Sequence, residues 1–143
     1  MKKENISLFL VDDDAVFLKS LEIEFSRLPG YTVSTFSTGE LCINSLSLNP
    51  GVIILDYYLD GIDNTAMNGI ETLDRIKAIR PEIPVIMLSS QDKIEVAVSC
   101  MHHLAYDYVV KSETAFLRLQ KNITRIFSTQ KIEKTLDWYM EHS

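Results

Sequence analysis

Leu8-Phe9-Leu10-Val11-Asp12-Asp13-Asp14 and Val52-Ile53-Ile54-Leu55-Asp56 decide the fold of this chain. Each is a short apolar run of the length of a buried strand, and each ends in carboxylates. Carboxylates gathered without a cation repel one another and resist leaving water, so packing alone does not account for two such ends. A hydroxyl pair, Ser89-Ser90, follows a further apolar run in the same way, and Lys111 follows another. Together they point to a metal site that handles a phosphoryl group.

Apolar runs recur at 6–11, 31–36, 52–57, 84–88 and 106–110, rich in Val, Ile, Leu, Phe and Tyr. The segments between them repeat at helical period, the pattern of alternating strands and helices around a parallel sheet. Phe17, Leu21, Phe25 and Leu28 stripe the first helix, which Pro29-Gly30 ends. Ser37-Thr38-Gly39-Glu40 has capping-box spacing and opens a second helix with Leu41 and Leu46. Asn68 and Glu71 frame a third, carrying Leu73, Ile76 and Ile79, which closes before Pro81. A fourth starts at Ser90 or Asp92 and shows Ile94, Ala97, Val98 and Met101, a thin stripe that marks it as a candidate for movement. Ser112 caps the last helix, striped by Phe116, Leu119, Ile123 and Ile126 or Phe127.

The series predicts an α/β fold: a doubly wound, five-stranded parallel sheet of flavodoxin-like order 2-1-3-4-5, between two helical layers. In such a sheet ligands bind beyond the carboxyl ends of the strands, so Asp12, Asp13, Asp56, Ser89 and Lys111 converge although they are far apart in sequence. After residue 127 the helical phase slips. Ile132, Leu136, Tyr139 and Met140 form a second stripe, with Ser128-Thr129 available to cap a new helix. We therefore divide the chain into a domain at 1–127 and a helical extension or linker at 128–143. Packing on the domain, self-association and linkage to another module are all open for the extension.

Length suits one domain with a core of ordinary size, and 46% hydrophobic with 24% charged residues is a globular composition. Nothing approaches a membrane span, and Met1-Lys2-Lys3-Glu4-Asn5 leads into the first strand without a small-residue cleavage site, so a soluble cytoplasmic protein is expected. Cys42 and Cys100 sit in apolar helical patterns and are read as buried free thiols. The net charge of −6 and the lack of a basic cluster argue against direct binding of nucleic acid.

Three carboxylates completed by water and a phosphoryl oxygen make an all-oxygen, octahedral environment that suits Mg²⁺, with Mn²⁺ as a substitute. Such a cation offsets the charge on Asp56 and on an incoming phosphodonor. Lys111 offers a mobile positive charge to the phosphate and Ser89 a hydrogen bond. Asp14 and Ser90 read more simply as helix caps.

Over residues 6–126 these motifs resemble the receiver domain of two-component response regulators. The resemblance implies that Asp12 and Asp13 bind Mg²⁺ with Asp56 and the backbone carbonyl of Tyr58. It further implies that Asp56 accepts phosphate from a histidine kinase or histidine phosphotransfer protein, and that Ser89 and Lys111 contact the phosphoryl group. It also implies a switch in which Ser89 moves and Tyr108, in Asp107-Tyr108-Val109-Val110-Lys111, turns inward. That switch would alter the face of the fourth helix, fifth strand and fifth helix, a possible homodimer surface, and the output would pass to an effector domain or target.

The chain departs from the family pattern in four places. Met67-Asn68-Gly69 arrives several residues late, so Asp60-Gly61-Ile62-Asp63-Asn64-Thr65-Ala66 hangs beside the site. Control of access, phosphate lifetime or partner choice, through Asp60 and Asp63, stands there against an inert loop. Lys111 is followed by Ser112 in place of the usual proline, and we expect a cis bond held against a cost of about 3 kcal/mol. The glycine usual after the fourth helix is missing from His102-His103-Leu104-Ala105, so that helix is expected to end without a left-handed cap; the two histidines lack a metal-spaced partner. Tyr58, bulky where a small or polar residue is common, is expected to slow phosphate loss.

Two rivals come from other functional classes. Asp12-x-Asp14 resembles the opening motif of haloacid-dehalogenase-like phosphatases, but that reading leaves Asp56 without a role. A pseudo-receiver, binding partners without phosphotransfer, is at odds with the complete acidic set.

Overall fold

A computed structural model describes residues 5–142; the Met1–Glu4 lead-in and Ser143 lie outside the described residues. The strands are β1 (Ile6–Val11), β2 (Tyr31–Phe36), β3 (Val52–Asp56), β4 (Val85–Ser89) and β5 (Asp107–Val110). The helices are α1 (Ala15–Ser26), α2 (Gly39–Asn44), α3 (Gly69–Ile79), α4 (Ile94–His102) and α5 (Ala115–Glu141), with one 3-10 turn at Leu46–Leu48. The sheet is parallel in the order β2-β1-β3-β4-β5, the flavodoxin-like arrangement.

Alternation along each strand divides the core in two. Phe9, Val11, Ile53, Leu55, Val85 and Met87 face α2, α3 and α4, where Cys42, Leu73, Ile76 and Cys100 meet them. Leu8, Leu10, Val52, Ile54, Ile86 and Leu88 face α1 and α5, against Leu21, Phe25, Leu119 and Ile123. Every residue of β3 and β4 is buried, so these central strands read as unbroken apolar runs. Cys42 and Cys100 are buried free thiols, pushed up by burial to about 12 and about 11.

Two helix caps follow the sequence expectation and three differ from it. Asp14 caps α1, accepting from the Val16 and Phe17 N–H groups, and Asn68 caps α3. At α2 the cap is Thr38, and Glu40, the presumed capping-box partner, accepts from the Met67 N–H across the loop. Neither Ser90 nor Asp92 caps α4, which begins after Lys93 without a side-chain cap. Thr114 occupies the cap position of α5, while Ser112 supports the turn before it by accepting from the Thr114 N–H.

Helix α4 corrects two further expectations. Ile94, Val98 and Met101 are exposed, and the inward positions are Cys100 and Val96. Leu104 does adopt a left-handed backbone, φ 71°. Its N–H donates to Met101 O and the Ala105 N–H to Cys100 O, both at 3.1 Å. This Schellman pair satisfies two end carbonyls and offsets the penalty of a side chain at positive φ.

Helix α5 runs unbroken through Ser128-Thr129, so no new helix is capped there. Its last buried residue is Ile126, and every described residue from Lys131 onward is exposed, Ile132, Leu136 and Tyr139 included. The extension therefore projects away from the domain.

Candidate functional site

Asp12, Asp13 and Asp56 meet at the carboxyl ends of β1 and β3, each offering an oxygen within 4.8 Å of the others; among the described residues this is the one such group. The backbone brings them there directly, since adjacent β1 and β3 end level, with Val11 paired to Leu55. Asp12 and Asp56 are buried, only 2% and 3% exposed. Asp12 Oδ1 accepts from the Asp14 N–H at 2.9 Å. Its buried Oδ2 makes no well-directed hydrogen bond, although the Lys111 ammonium lies 2.8 Å away. Asp13 is more open, and its Oδ2 accepts from the Gly61 N–H at 3.2 Å.

Burial, together with the charge of Asp12 and a hydrogen bond shared with it, raises the Asp56 pKa to about 8, against the lowering effect of Lys111 and the Tyr58 N–H. Without a further cation, burial and the neighbouring acid thus favour the neutral form of this carboxyl. The three-acid group has one lysine to balance it, and a divalent cation fits both the oxygen donors and the missing charge. The cluster is capable of coordinating such a metal.

Lys111 lies 3.5 Å from Asp56 Oδ1 as well as against Asp12. Burial alone would lower its pKa, but the close approach of Asp12 and the charges of Asp56, Asp12 and Asp14 outweigh that and raise it. The ammonium also sits over the Phe17 ring, 4.6 Å from its centre. The Lys111 N–H donates to Ser89 O at 2.7 Å. The Lys111-Ser112 peptide is trans, since the described residues contain no cis bond. With serine in place of proline the usual trans preference of several kcal/mol prevails, and Lys111 reaches the acids on that backbone.

Ser89 ends β4 fully buried, and its Oγ accepts from the Gln91 N–H at 3.1 Å. The Tyr108 hydroxyl donates to the Gln91 carbonyl, and its half-buried ring packs on the core beneath α4. Gln91 therefore joins the two residues expected to form the switch. Ser90 is exposed in the same loop. Tyr58 packs edge-on against Tyr57 and lines, with Asp60, Asn68, Ile70 and Ser99, a cleft of about 400 Å³. Asp63 is taken up by Thr65, whose hydroxyl and N–H both donate to its Oδ1 and lower its pKa.

Gly69 lets α3 start against this site: a Cβ there would lie 2.5 Å from the carbonyl oxygens of both Asp56 and Tyr57. Sequence reasoning missed three contributors. Phe17 read as core from its spacing, Gln91 acts through its backbone, and the Gly61 N–H carries no side-chain signal.

Comparison with known proteins agrees with this geometry. Residues 8–124 match the family model described as the response regulator receiver domain. The C4-dicarboxylate transport transcriptional regulatory protein DctD of Rhizobium meliloti is 31% identical over 106 residues, 73% of this chain and 22% of that protein. The protein-glutamate methylesterase/protein-glutamine glutaminase of Treponema pallidum is 33% identical over 126 residues, 82% of this chain and 30% of that protein. The chain thus spans under a third of the length of these curated relatives. Among solved structures, the receiver domain of NtrX from Brucella abortus superposes with a TM-score of 0.74 at 28% identity, covering 85% of this chain and 98% of that domain. A BeF3-activated DrrB receiver domain gives the same TM-score and identity, over 87% of this chain and 98% of its own.

Proposed function

This chain belongs to the response regulator receiver domain family, a regulatory phosphoacceptor module, and we propose that Asp56 is its phosphoacceptor. In this reading a carboxylate oxygen of Asp56 bonds to the phosphorus of a phosphohistidine on a histidine kinase or phosphotransfer protein. The bond from phosphorus to the imidazole nitrogen breaks, the imidazole takes a proton from solvent, and an acyl phosphate remains on Asp56. The observation that carries the proposal is the convergence of three acids and Lys111 at the strand ends, with Asp56 buried among them.

Asp12, Asp13, Asp56 and the Tyr58 backbone carbonyl would hold Mg²⁺, or Mn²⁺ in its place. The bound cation would offset the charge of the acids and of the phosphoryl oxygens. Lys111, steadied by the Phe17 ring, orients its ammonium toward the phosphoryl group, and Ser89 Oγ supplies a hydrogen bond. Ser89 Oγ accepts from the Gln91 N–H and keeps its own proton to donate, so a shift of Ser89 toward the phosphoryl group would pull on the loop whose Gln91 carbonyl holds Tyr108; this shared loop supports a switch read on the α4–β5–α5 face. Exposed Ile94, Val98 and Met101 on α4, and Arg118, Lys121 and Arg125 with Asp107 beside β5, support homodimer or target contact there. The domain would end near residue 127, and 128–143 would carry the signal toward an effector.

Incubation with a small acyl-phosphate donor and Mg²⁺, followed by peptide mapping, tests the assignment. Label on Asp56, absent without Mg²⁺ and in Asp56→Asn, is the expected result. Label on Asp12 would favour phosphatase-like chemistry, and no label from any donor or kinase would favour a phosphorylation-independent binding module. Tyr58→Asn is expected to lose phosphate faster than the parent.

A further inference from the structure

The β3–α3 loop is tied down at both ends. Near its start the Gly61 N–H donates to Asp13 Oδ2 at 3.2 Å, and at its end the Met67 N–H donates to both Glu40 carboxylate oxygens, each at 3.2 Å. Between these points Asp63 closes a turn on Thr65, and the Ala66 N–H donates to Asp63 O at 3.0 Å. The segment therefore spans from the acidic site to the first turn of α2 as a short braced strut.

We propose that this loop is a metal-positioning clamp, in which the Gly61 N–H fixes the Asp13 carboxylate for a divalent cation and Glu40 braces the clamp from α2. Asp13 is the most exposed of the three acids, and a carboxylate in that position turns freely unless something holds it. A hydrogen bond to one oxygen sets the plane of the group and the direction of its remaining lone pairs, so less freedom is lost when the cation arrives. The N–H also stabilises charge on Asp13 next to two other acids. Gly61 is thus a positioning residue that acts through Asp13. The inference rests on the metal reading proposed above.

The test is a calorimetric Mg²⁺ titration of the full chain with no phosphodonor present. Gly61→Pro removes the donor and is expected to weaken Mg²⁺ binding about tenfold. Gly61→Ala keeps the N–H, its added Cβ would stand 3.4 Å from Asp13 Oδ2, and the backbone there is not left-handed, so it should restore binding to the parent level. Glu40→Ala, on the exposed face of α2, frees the far end of the loop and should weaken binding about threefold. In each weakened variant the Mg²⁺ concentration for half-maximal phosphorylation should rise in parallel.

Equal Mg²⁺ affinity in the parent, Gly61→Pro and Glu40→Ala would overturn the clamp and leave the metal site standing. Equal weakening by Gly61→Ala and Gly61→Pro would also overturn it, because the donor would then not matter. If Gly61→Pro fails to fold, Glu40→Ala decides, and unchanged affinity there overturns the proposal. A parent that binds no Mg²⁺ removes both the metal reading and the clamp.

Discussion

Helices α3 and α4 lie on the same face of the sheet and are held very differently. α3 is capped by Asn68, buries Thr72, Leu73 and Ile76, and begins with Gly69 pressed on the backbone of Asp56. α4 has no side-chain cap at its start and buries Cys100 alone; its end is held by the turn at Leu104 and by His103 Nδ1, 2.7 Å from Asp74 Oδ1 on α3. One helix is a wall that fixes the phosphoacceptor candidate. The other is loosely seated over Tyr108 and is the element cheapest to move.

Substitution tests this contrast most strongly in the core. Leu73→Ala on α3 should cost about 3 kcal/mol in urea unfolding, whereas Val98→Ala on the exposed face of α4 should stay within about 0.5 kcal/mol. Comparable losses would erase the distinction.

Acid–base behaviour belongs to the wall side. Asp56 has a pKa of about 8 in the fold against an ordinary 3.8, so the native state keeps a proton that the unfolded chain gives up between those values. Metal-free stability should therefore fall as pH rises from about 4 to about 8. Saturating Mg²⁺ should raise stability and flatten that slope, and Asp56→Asn should flatten it without metal. Thermal melts across pH read both effects.

Smaller changes probe the seating of α4. Leu104→Gly relieves the left-handed leucine and should stabilise the protein by about 1 kcal/mol. Asp74→Ala removes the link from His103, but both partners are largely exposed, and the loss should be under about 0.5 kcal/mol in the same unfolding experiment. A larger loss would mean that α4 is pinned more firmly than its burial indicates.

The sheet was legible because burial on both faces keeps β3 and β4 apolar up to their last residues, Asp56 and Ser89, and these polar ends mark the crevice. The convergence of Asp12, Asp13, Asp56 and Lys111 followed from strand order alone. What sequence concealed depends on contacts distant in the chain or on the backbone. Glu40 fits a capping box by spacing, yet serves Met67 instead. The α4 stripe was misread because exposed apolar residues outnumber buried ones on so thin a helix. Leu104 holds a glycine's conformation because two backbone hydrogen bonds repay it, a balance no single residue type announces.

Phosphate on the proposed acceptor Asp56 should be read out by the loosely held helix and not by the wall. Hydrogen exchange over α3 and α4, with Mg²⁺ before and after phosphorylation and with Asp56→Asn as control, tests it most directly. Altered exchange in α4 and the Gln91 loop, unchanged exchange in α3, and no response in Asp56→Asn are expected. Unchanged α4 on a protein shown to be phosphorylated at Asp56, or a response confined to α3, would contradict it.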